Sequence, residues 1–494
     1  MNTFTRRDFL TGLAALPLTL ALPRTGRAQT TTTPLLVRYD CASPEGLDML
    51  QTFADTVRHM QSLGPDNPMS WMWQWYTHFV NGATTKSAEL TRIFGDAPST
   101  QKSLANETWN TCQSHSGQNP NHFMPWHRMF VYYFERIIRH VSGRADFTLP
   151  YWDYTSDDPT KRGIVPLQFR LASDPIWKYL YRSSRTTLAN TGQPIHKYQT
   201  TDVMDISDAM AKTHYSTVNS VMGFCRAIDS GIHGRIHVLV GTSKNMGAVP
   251  YAGNDPLFWV HHSNIDRMWA SWNENGNTNP TTATWAGTAF TFCNAGGVRV
   301  RRALRDFFAT APLGYEYDNY IGAPMMMAKL ALASPGTQPA ERVARTRGAA
   351  QLGPRPTLAV LAPTLPPRSE VLGLDPSSRR RSYLVLRNLH TWKQPEVLFH
   401  VYLSPGANGG RLDRAAYVGN IHFFDAEFHD HGDAQLDTAL GENFYSFDVT
   451  ELLNSLKRNR VPNARDALTV TIVPAGRPTP GGEPMVGTVE LVLQ

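Results

Sequence analysis

Between residues 231 and 269 the sequence reads GIHGRIHVLVGTSKNMGAVPYAGNDPLFWVHHSNIDRMW, with four histidines. His233 and His237 are four apart, so on a helix both imidazoles leave one face, one turn above the other. A loop punctuated by Gly241, Gly247, Pro250, Gly253 and Pro256 follows, and the apolar run 257–260 then leads to His261 and His262. Three or more imidazoles converging from two helices make a nitrogen-donor site of the kind copper, zinc or iron accepts. One HxxxH pair alone carries little: with 17 histidines in 494 residues, roughly half a pair at any given spacing arises by chance. Zinc-protease chemistry needs a glutamate directly after the first histidine, and Gly234 stands there instead.

More histidines lie in apolar settings upstream. His78 falls near the end of the aromatic run MSWMWQWYTHFV (residues 69–80). Buried there, each ring nitrogen must find a partner, which a core carbonyl or a metal can supply. The stretch WNTCQSHSGQNPNHFMPWHRMFVYYFERIIR (residues 109–139) sets His115 and His122 in a polar loop and His127 in the first turn of a helix expected to start at Pro125. PYWD (residues 150–153) follows as an extended segment, and Asp229 lies four residues before His233.

His78, CQSH…HFMPWHR, PYWD, HGRIH and NDPLFWVHHSNIDRMW, taken together, resemble the tyrosinase and polyphenol oxidase family of dinuclear copper proteins, and LGYEYD (residues 313–318) matches the tyrosine motif that closes the copper domain in its larger members. The resemblance is strong over residues 38–318 and looser beyond. It implies two copper ions with O2 as co-substrate, one copper held by His78, His115 and His127 and the other by His233, His237 and His262, with His261 a neighbour. For the second ligand of the first copper, the CxxH context favours His115 over His122, Gln118 standing where many relatives carry that histidine. Some members bond a cysteine sulfur to this histidine; Cys112 is nearby, at a spacing matching neither known pattern. The resemblance also implies substrate-contacting positions at Gly234, Val238, Val249 and Phe258, and a carboxylate at Asp229 to hold a water. Hydroxylation of monophenols is associated with an Asn where this chain has Gly234, so the expected reaction is oxidation of o-diphenols to o-quinones. An o-aminophenol oxidase and a reversible, haemocyanin-like O2 carrier are the alternatives. All-imidazole donor sets bind copper tightly in both of its common oxidation states, and each ring should give its other N–H to an acceptor that fixes it. Asp266, one turn after His262, either orients that helix or pairs with Arg267.

The elements that must position these residues follow from patterning. Residues 45–63 carry apolar side chains at helical spacing behind Ser43-Pro44, and residues 37–40 form a short strand. The resemblance implies a mainly α copper domain with a four-helix-bundle core, and the patterning that follows it reads as an antiparallel β-sandwich or barrel. The strands of the latter are SYLVLRNL, EVLFHVYLS, AAYVGNIHFF, ENFYSFDV, ALTVTIVPA and GTVELVLQ. The expected division is a signal peptide at 1–28, the copper domain at 29–320, an Ala/Pro/Arg/Gly-rich linker at 321–367 and a β domain at 368–494, which by the resemblance either shields the metal site or serves as a stability or partner-binding domain. His429-Asp430-His431 reads as a solvated run.

Thr5-Arg6-Arg7-Asp8-Phe9-Leu10 and the apolar stretch to Leu22 form a twin-arginine export signal with a cut expected before Gln29. That implies the Tat machinery as a partner, a periplasmic or secreted destination, and a metal loaded before export. The apolar run of about 13 residues is short of the ~20 needed to span a bilayer. The first 28 residues carry four Arg and one Asp, half of the formal charge of +6, and no basic stripe with interleaved aromatics points to nucleic acid. In an oxidising compartment Cys41, Cys112, Cys225 and Cys293 allow up to two disulfides.

Overall fold

The computed structural model describes residues 34–113, 121–323, 340–364, 380–406, 409, 412–427, 443–458 and 468–494. The chain divides into Met1–Pro34 and Leu35–Gln494. The export signal, His115, Gln118 and the 429–431 run lie outside the described residues.

Two long helices form the axis of the helical part. Phe123–Ser142 starts two residues before the expected Pro125 and ends on Gly143, whose φ of 72° is the left-handed conformation that glycine adopts without steric cost. Pro256–Glu274 begins with proline in its first turn behind Asp255, whose carboxylate accepts from Leu257 N–H. Asp255 is itself clamped by Arg185, with both side chains fully buried and one contact at 2.6 Å. Trp259 stacks on Phe134 with ring planes 15° apart, locking the two helices together. Pro44–Ser62, capped by Ser43, lays Leu50, Phe53, Val57 and Met60 onto the same core. Trp71–His78, capped by Ser70, delivers His78 at its last position.

A buried ionic hub fixes the rotation of the Pro256–Glu274 helix. Asp266 lies 3.0 Å from Arg38 Nη1 and in contact with Arg128 Nε, and accepts from the hydroxyls of Tyr315 and Tyr317, each at 2.7 Å. Burial alone would raise the Asp266 carboxyl, but Arg128 and Arg38 hold it below the usual range. Tyr315 and Tyr317 belong to β4 (Tyr315–Tyr317), which pairs in parallel with β1 (Leu36–Arg38). The LGYEYD motif therefore closes the helical part by binding the carboxylate one turn from His262. Of the two readings open for Asp266, the helix-orienting one holds: Arg267 turns instead to Asp153 and the Asn319 carbonyl.

Beyond the small hairpin of β2 (Ala289–Cys293) and β3 (Arg299–Ala303), one large sheet follows. It comprises β5 (Glu341–Arg345), β6 (Ala350–Gln351), β7 (Thr357–Pro363), β8 (Ser382–His390), β9 (Phe399–Pro405), β10 (Tyr417–Ile421), β11 (Phe444–Asp448), β12 (Leu468–Pro474) and β13 (Met485–Leu493). Its order is β10-β9-β12-β7-β5-β13-β8-β11, with β6 on β13, and every pairing is antiparallel. The sheet curls into a nearly closed barrel around Leu384, Leu386, Val401, Leu403, Val470 and Ile472. All six expected runs are strands. The linker expected at 321–367 needs correction, because β5, β6 and β7 lie inside it and belong to this sheet. The Ala, Pro, Arg and Gly content masked the short alternations of ERVAR and TLAVLAP.

The four cysteines are free, so none of the disulfides that their number allows is formed. Cys225 Sγ meets the Asn121 carbonyl, Cys293 Sγ that of Asn294, and Cys112 faces His127. Among the described residues no helix is long and apolar enough to cross a membrane.

Candidate metal centre

The histidines arrive from four segments of the chain. Trp71–His78 contributes His78, and the first turns of Phe123–Ser142 contribute His127. A π-type turn, Asp229–His233, runs into the Gly234–Val240 helix and presents His233 and His237 one turn apart. Gly231 sits outside helical geometry within that turn (φ −101°, ψ −114°). Pro256–Glu274 supplies His261 and His262.

Two groups of donor atoms result. His233, His237, His261 and His262 offer ligand atoms within 4.8 Å of one another, all buried, and so do His78, Cys112 and His127. The two groups meet face to face: His127 and His262 stack at 4.5 Å with planes 14° apart, and His127 lies 5.9 Å from His78 and 6.2 Å from His233 between ring centroids. Phe258 wedges between them, 4.1 Å from His262 and 4.9 Å from His78.

Local acceptors set the tautomers. A carbonyl can only accept, so His127 Nδ1–H donates to Phe123 O (2.8 Å) and His237 Nδ1–H to Met246 O (2.7 Å). His233 Nδ1 faces Asp229 Oδ1 at 2.9 Å and Asp229 O at 3.3 Å. Each of these rings therefore turns Nε2 toward the centre. Burial holds His78, His127, His237, His261 and His262 well below the usual imidazole range and brings His233 down to about 3, so all are neutral and in the ligating form. His237 Nε2, both nitrogens of His261 and His262, and His78 Nδ1 are buried without a hydrogen-bond partner. A protein interior rarely tolerates so many unpaired polar atoms together, and a soft, nitrogen-seeking cation satisfies them at once.

A scan against family models matches the common central domain of tyrosinase over residues 68–200 and 177–275, the span that carries these histidines. A tyrosinase of Streptomyces antibioticus is 31% identical over 188 residues, which cover 67% of its length. The chain belongs to the tyrosinase and polyphenol oxidase family. A tyrosinase of Hahella sp. (strain CCB-MM4) is 31% identical over 294 residues, 55% of this chain and 60% of that protein. The chloroplastic polyphenol oxidase C of Solanum lycopersicum is 24% identical over 573 residues, spanning 100% of this chain and 85% of the tomato protein. In fold, latent apple tyrosinase superposes with a TM-score of 0.60 at 20% identity, covering 93% of this chain and 97% of its own. A latent aurone synthase gives a TM-score of 0.59 at 18% identity, with 94% and 90% covered.

The family is one of copper oxidoreductases with a dinuclear centre, and this chain's neutral, unpaired imidazoles fit that metal pair. Five of the six expected ligands converge; the sixth, His115, falls outside the described residues. Its rival His122 packs against Trp285 and Phe290 and belongs to neither donor group. His261 is as buried and as near the other donors of its group as His262. Its rings of contact are Tyr154, His233, His237 and His262, whereas His262 reaches across to His127. Cys112 joins the first group, its Sγ 3.6 Å from His127 Nε2.

Of the expected substrate positions, Val238 is buried and Val249 half-buried, opening the short Val249–Ala252 helix. Gly234 lies under a residue that sequence reasoning missed. His422, at the end of β10, sits so close that a Cβ on Gly234 would fall 1.9 Å from its Cε1. Two residues on, Phe424 stacks on His237 at 4.0 Å with planes 11° apart and meets His233 edge-on at 5.7 Å. The run AAYVGNIHFF reads as a strand; its signal was the ending HFFD, which breaks strand alternation with three bulky rings in a row.

Proposed function

We propose that this protein oxidises o-diphenols to o-quinones, two catechols giving up four electrons and four protons as one O2 becomes two waters. The observation that carries the reading is the facing pair of buried, neutral histidine groups, with His78, His115 and His127 proposed for one copper and His233, His237 and His262 for the other. The bound copper pair would supply the two-electron redox chemistry with O2. The chain's own residues do the rest. His233 Nδ1–H donates to the Asp229 carbonyl, and the Asp229 carboxylate, 2.9 Å from the same nitrogen, helps aim Nε2, a positioning role rather than that of a water-holding base. Phe258 keeps the two histidine groups at a fixed separation and offers an apolar face to an aromatic ring, and Val238 and Val249 border the approach. Gly234 has no side chain to hold a water, which supports diphenols over monophenols as substrates.

Phe424 on His237 further supports a closed form, in which the C-terminal sheet covers the second histidine group and the enzyme is latent until that cover moves. Export of the folded, metal-loaded chain by the Tat route rests on Arg6-Arg7; lysine at both positions should retain the protein in the cytoplasm, and unchanged export would remove that reading.

The test of function is O2 uptake by the copper-reconstituted chain, before and after limited proteolysis, on catechols and the matching monophenols. Quinone formation from catechol at one O2 per two catechols supports the proposal, and O2 binding without turnover overturns it. Phe424→Ala should raise the rate of the intact chain.

A further inference from the structure

Gly234 occupies a helical conformation (φ −67°, ψ −31°) that any residue can adopt. Glycine is a poor helix former, and nothing in the backbone calls for it at this position. The space does. An added Cβ would lie 1.9 Å from Cε1, 2.1 Å from Nε2 and 2.8 Å from Nδ1 of His422, against the ring itself rather than the tip of a flexible chain. The ring is held. His422 N–H donates to the Tyr445 hydroxyl, which also lies 3.1 Å from the His422 carbonyl, and Nδ1 accepts from Phe424 N–H at 3.3 Å. The imidazole is fully buried, and burial brings it down to about 3, so it docks neutral. The bond from Phe424 N–H also ties the ring's position to that of the Phe424 backbone, and Phe424 is the residue stacked on His237.

We propose that Gly234 is the notch into which His422 docks, and that side-chain size at position 234 sets how firmly the C-terminal sheet closes over the metal centre. This rests on the closed-form reading and gives position 234 a second role, in access, beside any role in phenol selection. A residue of any size there displaces His422, and with it Phe424. In this fold a change that adds a side chain beside His233 cannot be made without also loosening the cover.

The experiment compares full-length, copper-reconstituted wild type with Gly234→Ala, Gly234→Asn and the double variant Gly234→Ala/His422→Gly. For each, the catechol rate of the intact chain is divided by the rate after limited proteolysis, which cancels changes in intrinsic activity. Amide hydrogen exchange over residues 417–427 is followed in the copper-free proteins. The expected result is that Gly234→Ala and Gly234→Asn raise the intact-to-treated ratio about tenfold or more and speed exchange over that segment. Removing the ring in the double variant should return both toward wild type. A Gly234→Ala chain as closed as wild type, with unchanged exchange, would overturn the proposal. So would opening that His422→Gly fails to reverse, because the methyl would then act on the helix rather than on His422. If the intact wild type already runs at the treated rate, the closed-form reading fails, and exchange alone decides whether the notch holds His422.

Discussion

Three of the proposed ligand imidazoles take their direction from a neighbouring acceptor. His127, His237 and His233 all donate to main-chain carbonyls that no substitution removes, but His233 Nδ1 also has the Asp229 carboxylate 2.9 Å away. Asp229→Asn should therefore weaken copper at the second group about 10–100-fold while leaving the fold intact, read by titrating copper against a competing chelator; unchanged affinity would remove the positioning role. His261 and His262 pose the sharper question, since both carry unpaired nitrogens in the same cluster. His262→Ala should lose a copper and all activity, and His261→Ala should keep both metals. Equal losses would show that proximity to the cluster, rather than reach toward His127, selects the ligand. The metal-free protein should also be acid-sensitive. His422 is brought to about 3 and His122 to about 4 by burial, and His78, His127, His237, His261 and His262 lie well below the usual range too. An imidazole with a depressed native value contributes stability that is present above its unfolded value near 6.5 and lost as pH falls through that point toward the native value. Asp425 and Glu427, raised to about 7 by burial, act in the opposite sense, gaining stability as pH falls from 7 toward 4. The histidines outnumber them, so Tm of the copper-free chain should drop between pH 7 and pH 5. A flat or rising Tm would mean that these rings are not buried neutral.

Among the elements, the Pro256–Glu274 helix carries the most consequence, because its rotation decides which histidine faces His127. That rotation is held by Asp266 against Arg38, Arg128, Tyr315 and Tyr317, groups 38 to 317 in the sequence. Deleting the carboxylate leaves the buried Arg128 guanidinium without an anion and Arg38 with Glu135 alone, and breaking such a network typically costs about 3–5 kcal/mol. Asp266→Ala should lower stability by that order in denaturant titration; a loss under about 1 kcal/mol would mean water takes the carboxylate's place. The histidine spacings and the strand alternations were legible in the sequence because both are local periodicities. The hub was not, since Asp266 next to Arg267 reads equally well as a surface pair until the fold shows Arg267 directed at Asp153 and Asn319. The strands in residues 341–363 were hidden for a different reason: short alternating runs among prolines and glycines look like linker, and only pairing with β13 and β12 makes them strands. Whether the four cysteines pair was not legible, because a cysteine count says nothing about which sulfurs face one another.

At the scale of the molecule, the histidine-bearing helices and the C-terminal sheet form one unit whose join lies on the candidate site itself. Met222 N–H donates to Ser446 Oγ, the Arg226 guanidinium lies over Phe444, and Ser243 N–H donates to Glu396. These contacts surround the place where His422 and Phe424 reach Gly234 and His237. The cover was foreseeable as a β domain, but not the residue that does the covering, because contact between residues 234 and 422 leaves no trace in either local pattern. The central claim is that this chain holds a pair of copper ions between its two histidine groups, and metal content tests it most directly. After full reconstitution and removal of loosely bound metal, the account predicts two coppers per intact chain. One copper or fewer would contradict it.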